Sequence, residues 1–149
     1  MMKSVVLRLL CAAALLFRCG CGQSGSATLV PVANAKSADG SFGLASITLN
    51  EHSLSYSVVA TGLSGPITSA NVFQFSTGVS LATLCSPCFG FFLTGVWIIP
   101  DGPNLATSLY LNELTAGNIY LSLKTAANAG GEIQGPLLLP FPPGPPYQA

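Results

Sequence analysis

In the stretch SLSYSVVATG, Leu54, Tyr56 and Val58 alternate with serines, and Gly62 ends the run. Alternation of apolar and polar residues with a period of two is the signature of a half-buried strand, because successive side chains of an extended chain point to opposite faces. Similar short runs recur along the chain: ATLVPVA, SFGLASITL, ITSANVFQF, GVSLATL, FGFFLTGVWII, NIYLSLKT and GEIQGPLLL. Turn signals separate them, among them NEHS and GLSGP. Seven or eight short strands of this kind predict an all-β fold, an antiparallel β-sandwich. In SFGLASITL, Phe42 and Leu44 share one parity and Ile47 and Leu49 the other, which predicts a β-bulge near Ala45. NLATSLYLNELTAGN breaks the period-two pattern. Leu105, Leu109 and Leu114 lie near helical spacing there, with Asn104 placed to cap the start of a short helix and Gly117 its end.

Only 7% of the 149 residues are charged, against roughly 25% in ordinary soluble domains. In the first 23 residues Lys3 and Arg8 precede the apolar run Leu9–Phe17, and small residues follow. That order is a secretory signal peptide's, with a cut expected between about residues 20 and 27. Arg18, directly before Cys19, argues against a lipoprotein cleavage site. Neither this run nor FFLTGVWII approaches the roughly 20 apolar residues needed for a membrane-spanning helix. Beyond the leader, Lys36 and Lys124 stand against Asp39, Glu51, Asp101, Glu113 and Glu132, a net charge of 2 minus 5, or −3. Two lysines and no arginine cannot neutralise many phosphates, which excludes nucleic acid as a partner and disfavours anionic membranes. The domain is expected over residues 27–138, followed by a proline-rich tail at 139–149. Six of the eleven prolines lie between Pro136 and Pro146, and polyproline II is the conformation such a tail favours.

Export decides how the cysteines are read. Cys11 falls inside the leader, Cys19 and Cys21 lie near its cleavage region, and Cys85 and Cys88 sit in LCSPCF within the domain. In an oxidising compartment this pair predicts a small structural disulfide. A thioredoxin-like site needs a helix N-terminus at its first cysteine, but the residues after Cys88 are strand-like and aromatic. Zinc would need two further ligands. The single histidine, His52, lies in the NEHS turn, and GLSGP does not match the Gly-x-Ser-x-Gly nucleophile elbow. No cofactor and no catalytic residue is assigned. Any enzyme here would rest on Asp101, Glu113 or Glu132, or on Cys85 and Cys88.

TLNEHSLSYSVVATGLSGPITSANVF followed by AGNIYLSLKTAANAGGEIQGPL resembles the chordin-type CHRD domain, a secreted β-domain, over roughly residues 27–138. Within its second motif, AANAGG reads as a hairpin turn in which Gly130 or Gly131 supplies a positive φ, and GEIQG as the start of the returning strand. Glu132 is then expected to be held by turn amides or Lys124, with a Glu132→Gln change milder than glycine substitution because solvent screens the carboxylate. The resemblance also implies positions where relatives carry histidines with the look of a metal site. Here Asn71, Phe73 and Lys124 occupy them, and a phenylalanine and a lysine are unsuited to holding a cation. Phe73 and Phe75 are expected to be core or groove aromatics. Two functions follow as expectations: an extracellular binding or matrix module for a protein or glycan partner, or, as the alternative, a secreted thiol-disulfide protein or other enzyme using Cys85 and Cys88.

Overall fold

A computed structural model of the chain describes residues 23–36, 40–50, 53–98 and 107–140, with the backbone alone at 107–111. The expected leader with Cys11, Cys19 and Cys21, the residues Asp39, Glu51, His52, Asp101 and Asn104, and segment 141–149 lie outside the described residues.

Among the described residues eight strands form: β1 (Gln23–Pro31), β2 (Phe42–Leu49), β3 (Ser53–Thr61), β4 (Ile67–Gln74), β5 (Ser80–Cys85), β6 (Phe92–Ile98), β7 (Ile119–Thr125) and β8 (Ile133–Pro136). A helix, α1 (Thr107–Ala116), precedes β7. The strands make a single antiparallel sheet in the order β5-β4-β7-β8-β1-β2-β3-β6. It curls into two facing four-stranded halves, a sandwich that is nearly a barrel. The edge strands β5 and β6 are consecutive in sequence, so their connection closes the curl. Along it, Cys88 N–H donates to the Thr68 carbonyl at 3.0 Å, and the Gly90 and Phe91 carbonyls accept from Ile67 at 3.0 Å and Ala60 at 2.9 Å. Backbone groups near the open seam are thereby satisfied and partly covered.

Inward alternation builds one core from both halves. Leu54, Val58, Leu93 and Trp97 face Ile67, Val72, Leu121, Leu123 and Ile133, with Leu29 and Ile47 between. Strand β2 departs from expectation. It keeps unbroken register with β1 and β3, and Gly43, Ala45, Ile47 and Leu49 all point inward. There is no bulge at Ala45. Phe42 and Leu44 lie on the outer face, and small residues take the inner one because a Cβ on Gly43 would already sit 2.9 Å from Ile133 Cδ1 and 3.0 Å from Leu29 Cδ1. The halves approach closely where β1 passes from β2 to β8. A Cβ at Gly135 would strike the Thr28 carbonyl, and one at Gly25 the Leu138 carbonyl.

The helix ends as its sequence predicts. Asn118 N–H donates to the Glu113 carbonyl at 2.9 Å and Gly117 N–H to the Leu114 carbonyl at 3.4 Å, with Gly117 at φ 74°. This is the Schellman pattern, which requires a left-handed residue at the position glycine holds. Leu114 is fully buried and anchors the helix to the core.

Tyr56 ties the seam from inside. It pairs in register with Gly95 on β6, and its hydroxyl donates to the Leu84 carbonyl on β5 at 3.2 Å. Gly95 leaves the space that the ring occupies, since a Cβ there would lie 2.5 Å from the Tyr56 hydroxyl. Gly95→Val is therefore expected to cost about 1 to 3 kcal/mol by overpacking. The loss should shrink in a Tyr56→Leu background, as read from urea melts of the four-member cycle.

Candidate functional site

At one end of the barrel three connections meet around one carboxylate. The β3–β4 segment must cross between halves, because β3 and β4 are not neighbours in the sheet, so no ladder holds it. Glu132 holds it instead. Its Oε1 accepts from the Ser64 backbone N–H at 2.7 Å, and its Oε2 accepts from Ser64 Oγ at 2.6 Å, Thr125 Oγ1 at 2.5 Å and Asn128 Nδ2 at 2.9 Å. Each hydroxyl has one proton, so when both are given to Oε2 the 3.0 Å contact between Ser64 and Thr125 is a packing contact and not a further hydrogen bond. Asn128 extends the node to the β1–β2 connection, accepting from Lys36 N–H at 2.7 Å and donating to the Lys36 carbonyl at 3.2 Å.

Glu132 is 0% exposed. Burial pushes its carboxyl pKa up, but the combined hydrogen bonds from Ser64, Thr125 and Asn128 outweigh that push and hold it below its ordinary value. The group therefore stays ionised. A general acid needs the opposite shift and an open approach to substrate. The geometry is that of a structural anchor.

The sequence-based expectation for Glu132 is corrected in two respects. The carboxylate is not screened by solvent, and Lys124 does not hold it: the ammonium of Lys124 lies over the Phe73 ring, 5.8 Å from its centroid. The roles of Ser64, Thr125 and Asn128 carry no local sequence signal. Ser64 sits in GLSGP, which reads locally as the end of a strand, 68 positions from the group it serves.

The turn behaves as its glycines suggest, at one position only. Gly131 has φ 124°, and a Cβ there would lie 2.8 Å from Ser122 Oγ, whereas Gly130 lies outside the left-handed region and faces open space. Asn128 N–H donates to the Thr125 carbonyl at 3.2 Å and Gly131 N–H to the Asn128 carbonyl at 3.0 Å, and Glu132 N–H re-enters the ladder on the Leu123 carbonyl at 2.8 Å.

The outer face of β4 and β7 carries a second cluster. In register, Ser69 faces Lys124, Asn71 faces Ser122 and Phe73 faces Tyr120. The Phe73 and Tyr120 rings stack at 5.3 Å between centroids, and Phe75 meets Tyr120 edge-on at 6.1 Å. Asn71 Nδ2 donates to Thr83 Oγ1 at 2.9 Å, and Ser69 Oγ donates to Asn71 Oδ1 at 3.3 Å. Beside the aromatic residues runs a groove of about 390 Å³ lined by Val30, Phe75, Asn118, Tyr120, Gln134 and Pro136. Phe73 is half-buried and stacks on Tyr120 beside the groove, and Phe75, 73% exposed, lines it, so neither belongs to the core.

A family model described as the CHRD domain matches residues 24–137. The chain belongs to the CHRD family. No curated protein and no solved structure gives a significant match. The CHRD match runs from the start of β1 to Leu137, just past β8, and takes in both clusters. Asn71, Phe73 and Lys124, the positions singled out in the CHRD motifs, do come together on one outer face, where they form an amide, aromatic and cationic surface. Among the described residues no group of three or more His, Cys, Asp or Glu side chains gathers as metal ligands would. Cys85 and Cys88 of the CHRD domain are joined as a disulfide with Cα atoms 5.2 Å apart, and a strand-bound loop, not a helix, follows Cys88.

Glu132→Gln is expected to cost about 2 to 4 kcal/mol, because hydrogen bonds to a charged acceptor are each worth about 1.5 to 3 kcal/mol and the amide leaves buried donors facing a donor. Since the folded carboxyl is depressed, this stability is present above the unfolded glutamate range near pH ~4.3 and is lost as pH falls through the folded value. Melts from pH 7 downward should show wild type and Glu132→Gln converging in acid.

Gly131→Val is expected to lose about 1 to 3 kcal/mol from backbone strain and Gly130→Val to stay within about 0.5 kcal/mol of wild type. Denaturant melts of the two variants check this contrast.

Proposed function

We propose that this CHRD-domain protein is a secreted, non-catalytic binding or matrix module that takes an extracellular protein or glycan on the outer face of β4, β7 and β8. The CHRD family is associated with extracellular binding modules and is non-catalytic in general. Support for export in this chain comes from the order of charge, apolar run and small residues at residues 1–27.

The observation that carries the reading is the aromatic groove. Tyr120, Phe73 and Phe75 offer ring faces and edges for stacking, and Asn118 and Gln134 set amides beside them. Aromatic surface flanked by a few polar groups is how concave sites bind neutral ligands. Among the described residues, two chemically capable groups lie away from the groove in other roles. Glu132 is enclosed by its own donors, and Cys85–Cys88 closes a loop without the helix N-terminus that activates a redox cysteine.

Tyr120→Ala is expected to weaken partner capture by about tenfold or more, as truncating a central aromatic anchor does, with the melting curve little changed. Crosslinking of wild type and variant in the extracellular fraction, followed by partner identification, measures it. Equal capture by both proteins, or turnover of a dithiol substrate by wild type, counts against the reading.

A further inference from the structure

The outer face that holds the aromatic groove carries a positive charge at one end. Tyr120 and Lys124 of β7 both point to this face, and β4 sets Phe73 opposite Tyr120, Asn71 opposite Ser122 and Ser69 opposite Lys124. β8 continues the rows, with Pro136 beside Tyr120 and Gln134 beside Ser122. The Lys124 ammonium reaches back along the face to the Phe73 ring, 5.8 Å from its centroid, and Phe73 stacks on Tyr120. Two carboxylates belong to the described residues. Glu132 is enclosed by Ser64, Thr125 and Asn128, and Glu113 lies on α1, just before the opposite end of β7. Among the described residues, then, the ammonium rests on a ring and has no carboxylate for a partner.

We propose that the ligand of this face is an acidic glycan, with a sugar ring on Tyr120 and the carboxylate of a uronic acid unit on Lys124. This assignment rests on the reading of the face as a binding surface and narrows its ligand to one class. A pyranose offers an apolar C–H face to an aromatic ring and carries hydroxyls around its rim. Tyr120 supplies the ring, and the side-chain amides of Asn118 and Gln134 stand beside it in the groove. An amide both donates and accepts, as a hydroxyl does, so the two amides suit the rim of a sugar. The carboxylate adds what a neutral sugar lacks, a charge-assisted partner for the ammonium. Charge also sets the direction of the chain: the acid unit lies toward Lys124 and away from Glu113. A peptide fits this face less well. Extended peptides bind by adding a strand to a free sheet edge, whereas β4, β7 and β8 each have a neighbour on both sides.

Oligomers of galacturonate, mannuronate and glucuronate, each beside its methyl ester, titrated into the full ¹⁵N-labelled chain, test the assignment. At least one acid is expected to shift the amide signals of Asn71, Phe73, Tyr120, Lys124 and Gln134, while those of β2 and β3 stay in place. Its methyl ester keeps every hydroxyl and loses the charge, and should bind about fivefold more weakly, the scale of one accessible ion contact. Added NaCl should narrow that difference. Lys124→Gln is expected to bring acid and ester to the same affinity, and Tyr120→Ala to weaken both by about tenfold or more. No shift on this face with any of the acids overturns the assignment. Equal binding of acid and ester by wild type overturns it too, as does a preference for the acid that survives in Lys124→Gln. If the acids fail while Tyr120→Ala still weakens partner capture, the face takes a protein and only the glycan class falls. If the acids shift a different face and Tyr120→Ala captures partner as wild type does, the binding reading falls with it.

Discussion

One buried carboxylate holds the end of this barrel together. Strand pairing accounts for the eight strands, but it cannot fix the β3–β4 crossover, which leaves one half of the sheet and enters the other. Glu132 does so by accepting from Ser64 twice, once from its backbone and once from its hydroxyl, while Thr125 and Asn128 complete its shell. Placing an ionised group in the interior is costly unless donors surround it. Here four hydrogen bonds provide that shell from hydroxyl, amide and backbone groups. Neutral donors suffice because the end of β7 and its turn aim Thr125 and Asn128 at the carboxylate, and Ser64 completes the shell from the segment that the carboxylate pins.

This arrangement divides the molecule's polar resources. Inside, its fully buried charge is committed to architecture. Outside, the face of β4, β7 and β8 is nearly neutral, with stacked rings, amides and the single ammonium of Lys124 over Phe73. A surface of that kind binds by shape, stacking and directional hydrogen bonds, with little long-range electrostatic steering. The scarcity of charge noted in the sequence thus has a spatial meaning: an anchor within, and without, a face of rings and amides that carries one ammonium.

Alternation makes most strands legible in the amino-acid sequence, because period two reflects the pleat itself. The same reading fails at SFGLASITL. Apolar character alone places Phe42 and Leu44 in the core, whereas the inner positions opposite Leu29 and Ile133 have room only for Gly43 and Ala45. The helix end is legible because a Schellman cap is local and glycine-dependent. Gly130 and Gly131 are indistinguishable as letters, and only the path of the turn assigns the positive φ to Gly131.

The sequence by itself determined an all-β domain, its turns, its scarcity of charged residues and the two CHRD motifs. Those properties follow from composition and from neighbours within a few residues. Tertiary structure decided what Glu132 does, that Ser64 matters, and that Phe73, Phe75 and Tyr120 form one ring cluster on the outer face. The reason is physical. A hydrogen bond between residues 68 positions apart leaves no periodic trace, and whether a carboxylate is screened or enclosed depends on which loops fold over it.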